Sequence, residues 1–343
     1  MKERILDLLS NTDGYISGQH ISELLGVSRT AVWKNIQRLQ EEGYVIEGIK
    51  NKGYRLAKKG DILSLYELKC HMDESSRQAV ADQGKSAGPF TGKFGSEIHY
   101  YDEIDSTNLQ VKRLAEIGAP EGTLVVGDCQ VKGRGRLGRV WTSPSGCGLW
   151  MSLLLRPEFS PMQASMVTLA AAMAVRDGIY KVTGIEAGIK WPNDLVCNGK
   201  KICGILTEMS MEENRISYIV VGIGINVNNR SFPEELQEKA VSLAMLTGKN
   251  CSRAALAAAV CRSFEQYYEM FTADGNLKRI VPTYNQYLIN RGRQVVISDH
   301  AVSMVCTSEG IDETGALLVV REDGTREAIT SGEVSVRGIY GYV

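Results

Sequence analysis

Lys132-Gly133-Arg134-Gly135-Arg136-Leu137-Gly138-Arg139-Val140-Trp141 is the densest run of chemistry in this chain of 343 residues. Its three glycines let a backbone come close to a ligand. Four cations between Lys132 and Arg139 supply charge-assisted donors for phosphate or carboxylate. From Gly133 to Gly138 it also spells Gly-x-Gly-x-x-Gly, the dinucleotide pattern, which needs a helix to open directly after the glycines. Here the chain runs on through Thr142-Ser143-Pro144-Ser145-Gly146 into an apolar stretch from Leu149 to Leu155, which reads as loop and then strand. Glu158 falls at roughly the offset of a ribose-binding acid, but no helix fits between. The Rossmann reading fails. Two readings of the loop stay open: a solvated segment that grips nucleic acid without reading it, and a flexible clamp for a small phosphorylated species.

Two later segments favour the clamp, Lys190-Trp191-Pro192-Asn193-Asp194 and Gly222-Ile223-Gly224-Ile225-Asn226-Val227-Asn228. With an upstream Asp105-Ser106-Thr107-Asn108, they stand in the order and spacing that resemble the biotin protein ligase family. The resemblance covers nearly the whole chain. It implies an α+β protein with a class II synthetase-like mixed α/β core, using ATP and magnesium to activate biotin as biotinyl-5′-AMP. The acyl group would then pass to a lysine of a biotin carboxyl carrier domain.

Composition sets the frame. Hydrophobic residues make up 43% and charged residues 23%, as in an ordinary globular protein. The net charge of −1 means that attraction to nucleic acid must come from a local patch. No apolar run reaches membrane-spanning length, and Met1-Lys2-Glu3-Arg4 leads into an amphipathic helix rather than a signal sequence. The eight cysteines are scattered without a Cys-x-x-Cys pair, which suits free thiols in a reducing cytoplasm. The four histidines are too dispersed for a metal cluster.

Residues 1–60 hold ten Lys or Arg against seven Asp or Glu, so this segment is +3 and the remainder −4. Ile5, Leu8 and Leu9 give a first helix an apolar face, and Ile21, Leu24 and Leu25 a second, with Gly26 as its break. Ser28 can cap a third helix in which Val32, Ile36 and Leu39 face inward. Arg29, Thr30, Trp33, Lys34 and Gln37 are left on the outer face, which suits a recognition helix in a major groove. Two strands around Lys50-Asn51-Lys52 would make a basic wing. The pattern resembles a winged helix-turn-helix. It stays open to a second reading, a small domain for protein contacts whose cations are simply solvated. Beside a ligase core, the resemblance implies the bifunctional kind of ligase, which also represses biotin genes on operator DNA as a ligand-dependent homodimer.

Residues 61–92 read as a connector, with polar, turn-rich stretches at Asp73–Arg77 and Gly84–Pro89. Residues 93–285 carry the expected catalytic domain. Its strands are predicted at 97–101, 123–130, 149–155, 187–190, 201–209 and 216–227, and its helices at 107–117, 161–183 and 252–272. The Ala and Met residues of the last two helices are read as core. Residues 286–343 break into five short strands, the pattern of an SH3-like β-barrel.

The ureido ring of biotin has one carbonyl acceptor and two N–H donors. Ser106, Thr107, Asn108 and Gln130 offer both functions, and Ser106-Thr107 also reads as a helix N-cap. By resemblance, Lys190 contacts both biotin and the developing acyl-phosphate. The backbone of Gly133, Arg134, Gly135 and Arg136 closes over the adenylate with Arg136 beside the phosphates, and Asn226 borders the nucleotide. Trp141 is a candidate to stack on a ring, whereas Trp191 reads as core. Lipoate ligation on the related fold, and a biotin-sensing repressor without turnover, remain as alternatives.

Overall fold

The computed structural model describes residues 1–58, 61–82, 92–299, 302–330 and 335–338. Contacts divide the chain into two units, Met1–Glu67 and Leu68–Val343.

In the first unit, helices Lys2–Ser10 (α1), Gly18–Leu25 (α2) and Arg29–Glu41 (α3) precede an antiparallel hairpin, Val45–Ile49 (β1) and Gly53–Lys58 (β2). Ser28 caps α3 as expected, its hydroxyl accepting from Ala31 N at 3.2 Å, and Gly26 ends α2 in the left-handed region at φ +66°. Val32, Ile36 and Leu39 are buried. Two expected core positions differ. Leu6 joins Ile5 and Leu9 in the core while Leu8 is only partly buried, because α1 lies with its 5, 6 and 9 positions inward. Leu24 is 49% exposed, because the short α2 turns only Ile21 and Leu25 toward the core. Gly53, at φ +107°, is required: a Cβ there would stand 2.1 Å from Ile16 O, where Ile16 and Tyr54 exchange backbone hydrogen bonds of 2.9 Å.

The connector is not a run of turns at Asp73–Arg77. It is helix, Leu65–Asp82 (α4). Ser64 Oγ accepts from Glu67 N at 3.2 Å, and Leu68 and Met72, one turn apart, are buried. The polar residues between hid that apolar pair. The Gly84–Pro89 stretch lies outside the described residues.

The second unit opens with Ile98–Ile104 (β3), Thr107–Glu116 (α5), Leu124–Gln130 (β4) and Gly148–Leu155 (β5). Next come Ala164–Thr183 (α6), Gly188–Lys190 (β6), Asp194–Cys197 (β7), Lys200–Glu212 (β8) and Arg215–Asn226 (β9). Helices Glu234–Gln237 (α7), Leu243–Thr247 (α8), Arg253–Asp274 (α9) and Val281–Tyr287 (α10) complete the core. Its strands form one seven-stranded sheet in the order β3-β4-β5-β9-β8-β7-β6, parallel only between β3 and β4. The β7 strand was not predicted, since its four residues begin inside the Lys-Trp-Pro-Asn-Asp motif. All eight residues of β5 are buried, as are Ala170–Ala174 of α6 and Leu256, Val260 and Phe264 of α9. Most of the Ala and Met positions are therefore core, but Met162, ahead of α6, is 89% exposed, and Ala255, Ala259 and Met270 of α9 are only partly buried.

Strands Gln294–Asp299 (β10), Val302–Ile311 (β11), Leu317–Arg321 (β12), Arg326–Ile329 (β13) and Ser335–Gly338 (β14) form a small antiparallel sheet where an SH3-like barrel is expected, in the order β13-β12-β11-β10-β14.

Candidate active site and nucleic-acid face

The corner between β3 and α5 is built by polar residues that meet far apart in sequence. Ser106 holds the N-cap position of α5, but its side chain makes no capping bond. Instead Asp105 Oδ1 accepts from Ser106 N at 2.7 Å, and the carboxylate pairs with Arg113 about two helix turns on. Gln130 Oε1 accepts from Thr107 N at 2.9 Å and Thr107 Oγ1 at 3.1 Å, while Gln130 Nε2 donates to Ser143 Oγ at 2.8 Å. Ser152 Oγ meets Asn108 Oδ1 at 2.6 Å and Thr107 Oγ1 at 2.7 Å. Asn108 Nδ2 donates to Glu208 Oε2 at 2.7 Å and Leu206 O at 3.2 Å, and Lys112 Nζ holds the other oxygen of Glu208 at 2.6 Å. Ser106, Thr107 and Asn108 are all nearly buried. The structure thus brings together four of the expected ureido-binding residues, three of them in one network. Ser143, Ser152 and Glu208 belong to it and were not foreseen, although Ser152 is the one hydroxyl inside the apolar β5 run.

Both glycines of Gly222-x-Gly224 leave room for a side chain of this region. A Cβ on Gly222 would stand 2.1 Å from Asn108 Oδ1, and one on Gly224 would stand 2.8 Å from Trp141 Nε1. The Trp141 ring lies over Gly224 and Gly204, edge-on to Trp150 with centroids 6.4 Å apart, and Lys201 Nζ is 5.1 Å from its centre. Its indole nitrogen is buried without a hydrogen-bond partner. Asn226, at the end of β9, is buried and makes a long 3.4 Å contact from Nδ2 to Lys201 O.

The glycine loop forms a small hairpin followed by β5, with no helix after Gly138, so the dinucleotide reading is excluded by geometry as well. Trp141 N bonds Gly133 O at 3.0 Å, Gly135 N bonds Arg139 O at 2.8 Å, and a Cβ on Gly133 would meet Trp141 O at 2.2 Å. Lys132, Arg134 and Arg139 are exposed, but Arg136 turns inward. Its guanidinium donates to Asn193 Oδ1 at 2.9 Å, in the turn between β6 and β7. Burial pulls this guanidinium below its ordinary pKa, and Arg139 adds to the effect while Asp194 opposes it.

That turn is fixed on every side. Lys190, only 5% exposed, pairs in register with Asp194. Asn193 Nδ2 bonds Ile205 O at 2.9 Å, Asp194 pairs with Lys201 at 2.6 Å, and the buried Trp191 donates to Gly315 O at 3.1 Å. A second buried pair, Arg253 to Asp128 at 2.6 Å, ties α9 to the end of β4. Sequence reading missed Asn193, Asp128 and Arg253 as partners because their pairs join segments 57 and 125 positions apart, and Lys201 because its pairing with Asp194 depends on the short strand β7, which was not predicted. Lys190, at the end of β6 and buried, and Arg136, partly buried in the glycine loop, are thereby held at the same turn. Such a site favours an anion strongly, since charges in a dry setting interact far more than in solution.

In the first unit Arg29, Thr30, Lys34 and Gln37 are exposed on α3 and Trp33 is half exposed, one continuous outer face. Lys50 and Lys52 are exposed at the hairpin tip on either side of Asn51, which adopts φ +67°. Arg55 does not add to this tip. It pairs with Glu47 at 2.8 Å and stacks 5.0 Å above Tyr15.

Comparison with known proteins agrees with this anatomy. Residues 100–226 match the biotin/lipoate A/B protein ligase family, residues 2–55 an HTH domain, and residues 292–337 the biotin protein ligase C terminal domain. The chain is 40% identical to the bifunctional ligase/repressor BirA of Bacillus spizizenii over 330 residues, 95% of this chain and 96% of that protein. The bifunctional ligase/repressor BirA of Escherichia coli is 29% identical over 340 residues, 97% of this chain and 96% of its own. The solved biotin protein ligase of Aquifex aeolicus in complex with biotin and ATP aligns at a TM-score of 0.63 and 33% identity, covering 71% of this chain and 99% of that one. With a helix-turn-helix, a ligase core and the C-terminal ligase domain in one order along almost its whole length, the chain belongs to the bifunctional ligase/repressor family of biotin protein ligases.

Proposed function

We propose that this protein adenylates biotin with ATP, transfers the biotinyl group to a lysine of a biotin carboxyl carrier domain, and represses biotin genes by binding operator DNA. The observation that carries the ligase reading is the bond from Arg136 to Asn193, which joins the glycine loop to the Lys190 turn. Adenylation brings two anions together, so the barrier is charge repulsion and placement. A biotin carboxylate oxygen attacks the α-phosphorus and pyrophosphate leaves. Lys190 and Arg136 are assigned to the charge that gathers there. In the second step the neutral amine of the carrier lysine attacks the acyl carbon, AMP departs, and the amine loses its proton.

Ser106, Thr107, Asn108 and Gln130 are assigned to the ureido ring, with the backbone of Gly133, Arg134, Gly135 and Arg136 closing over the adenylate. The buried amide of Asn108 already spends both N–H donors on protein, so its role toward biotin is through Oδ1. Asn226 and Trp141 are assigned to the nucleotide side, where the buried indole N–H of Trp141 offers a donor. Magnesium enters on the triphosphate. Among the described residues no three His, Cys, Asp or Glu side chains form a metal-holding group, and Asp128, Asp194 and Glu208 are paired with cations.

Arg29, Thr30, Trp33, Lys34 and Gln37 face the DNA bases, and Lys50 and Lys52 the phosphates, in a homodimer that forms when adenylate binds. The domain division is 1–60, 61–92, 93–285 and 286–343. No helix among the described residues is long and apolar enough to cross a membrane. A cytoplasmic location is proposed from the eight scattered cysteines, which form no disulfide. The decisive experiment is ATP–pyrophosphate exchange with biotin and with lipoate as separate substrates. Exchange with biotin alone is expected. Exchange with lipoate would transfer the assignment to the sister activity, and biotin binding without exchange would leave a sensor that does no chemistry.

A further inference from the structure

Lys190 has a neighbour whose indole N–H reaches a turn between two strands of the C-terminal sheet. The Trp191 ring is 1% exposed, and its indole N–H donates to Gly315 O at 3.1 Å. Gly315 sits in the tight turn that joins β11 to β12. That turn is rigid by construction. Asp312 Oδ1 accepts from Thr314 N at 2.9 Å, Thr314 Oγ1 at 2.7 Å and Ala316 N at 3.0 Å. Leu277 N bonds Glu313 O at 2.8 Å, and Asn285 grips Ile311 through both of its amide atoms. Gly315 has φ +81°, and a Cβ there would press on Leu169 at 3.1 Å and Leu277 at 3.2 Å. The carbonyl that receives the indole is thus fixed by three elements of the unit.

We propose that the Asp312–Ala316 turn is the positioning element for Lys190, acting through Trp191. Apolar packing alone would bury the ring, but it would not choose one depth for it. A hydrogen bond to a rigid carbonyl does, since a buried N–H left without a partner is costly. Trp191 and Lys190 share a peptide bond, so the depth of the ring sets the position of the Lys190 backbone and the point from which its ammonium reaches. Catalysis by placed charge is sensitive to such shifts, and about 1 Å of displacement can cost on the order of a hundredfold in rate. Trp191 is a positioning residue in this scheme, since its ring is 1% exposed and its indole N–H is taken up by Gly315 O.

The proposal rests on the ligase reading, and its test separates the two. In the full chain, Trp191→Phe keeps an aromatic ring and removes the N–H. Gly315→Ala keeps the carbonyl but drives the turn off its seat. Both variants are expected to lower kcat for biotin-dependent pyrophosphate exchange about tenfold. Their KM for biotin and for ATP should stay within about threefold of the parent, a split that general loosening of the fold would not give. A kcat for Trp191→Phe within about twofold of the parent would overturn the proposal. If Trp191→Phe does not fold, Gly315→Ala carries the kinetic arm alone. An independent arm needs no activity. With 15N-labelled tryptophan the chain shows one indole signal for each of its four tryptophans. The Trp191 signal should exchange slowly with solvent, and at least about tenfold faster in Gly315→Ala. Unchanged exchange would also overturn the strut. A parent that shows no pyrophosphate exchange would sink the ligase reading while leaving the indole arm to judge the strut by itself.

Discussion

Glycine 222 shows how much of the site is decided by single atoms that are absent. Its missing Cβ is where Asn108 Oδ1 lies, and the Gly224 equivalent is where the Trp141 indole lies. The two substitutions should therefore fail differently. Gly222→Ala is expected to raise the KM for biotin by about tenfold or more, because it displaces a carboxamide whose every partner is fixed, at a cost of over about 1 kcal/mol. Gly224→Ala should instead act on ATP. Steady-state exchange with each substrate varied in turn checks this, and equal effects on both constants from either variant would contradict it. Lys190→Ala removes charge rather than space. It should lower kcat by about a hundredfold or more, in the range found when one preorganised donor is lost, with the folded state intact by circular dichroism. At this scale the sequence was legible where chemistry is unusual: glycines alternating on a strand, cations in a loop, short polar residues before a helix. It was silent on Ser152, Glu208 and Asn193. Each is an ordinary residue made important by a partner 44, 100 or 57 positions away, and no local pattern encodes such a pairing.

Elements were legible to the extent that their period was strong. The buried face of α3 follows directly from Val32, Ile36 and Leu39, while α4 was hidden because its polar residues outnumber the two, Leu68 and Met72, that anchor it. The corner joining β3 to α5 has a weak point of another kind. Ser106 does not cap the helix with its hydroxyl, so Asp105 does the local bracing by accepting from Ser106 N and pairing with Arg113 of the same helix. The Arg113 guanidinium, helped by the Ser106 amide, holds the Asp105 carboxyl below the usual range against a smaller opposing effect of burial. A depressed carboxyl stabilises the fold above its unfolded pKa of about 3.9, and that stability is lost as pH falls through the folded value. Urea unfolding of Asp105→Asn and of the parent should therefore differ near pH 6, and the gap should begin to close below about pH 4 and vanish once pH is under the lowered folded value. A gap that persisted at low pH would mean that the carboxylate charge is not what braces the corner.

Charge is divided unevenly along the molecule: residues 1–60 carry +3 while the rest carry −4. A protein that is close to neutral overall can then bind DNA only through contacts that its small basic end makes, and such contacts are visible in the salt dependence. Each phosphate neutralised contributes about −0.9 to the slope of log K against log salt. Lys50 and Lys52 stand exposed at the hairpin tip, whereas Arg55 is occupied by Glu47 and Tyr15. Lys50→Ala should weaken binding to all sequences alike, while Gln37→Ala, on the outer face of α3, should change which sequence is preferred. The same measurement counts the copies on the DNA. If biotin and ATP assemble two chains on one site, Lys50→Ala removes two phosphate contacts per complex and the slope falls by about 1.8 in magnitude, whereas a single bound copy loses about 0.9. Titrating parent and variant across salt, with both substrates present and with neither, thus tests wing and dimer together. A loss of about 0.9 under both conditions, with sedimentation showing no association, would leave the wing in place and remove the ligand-driven dimer.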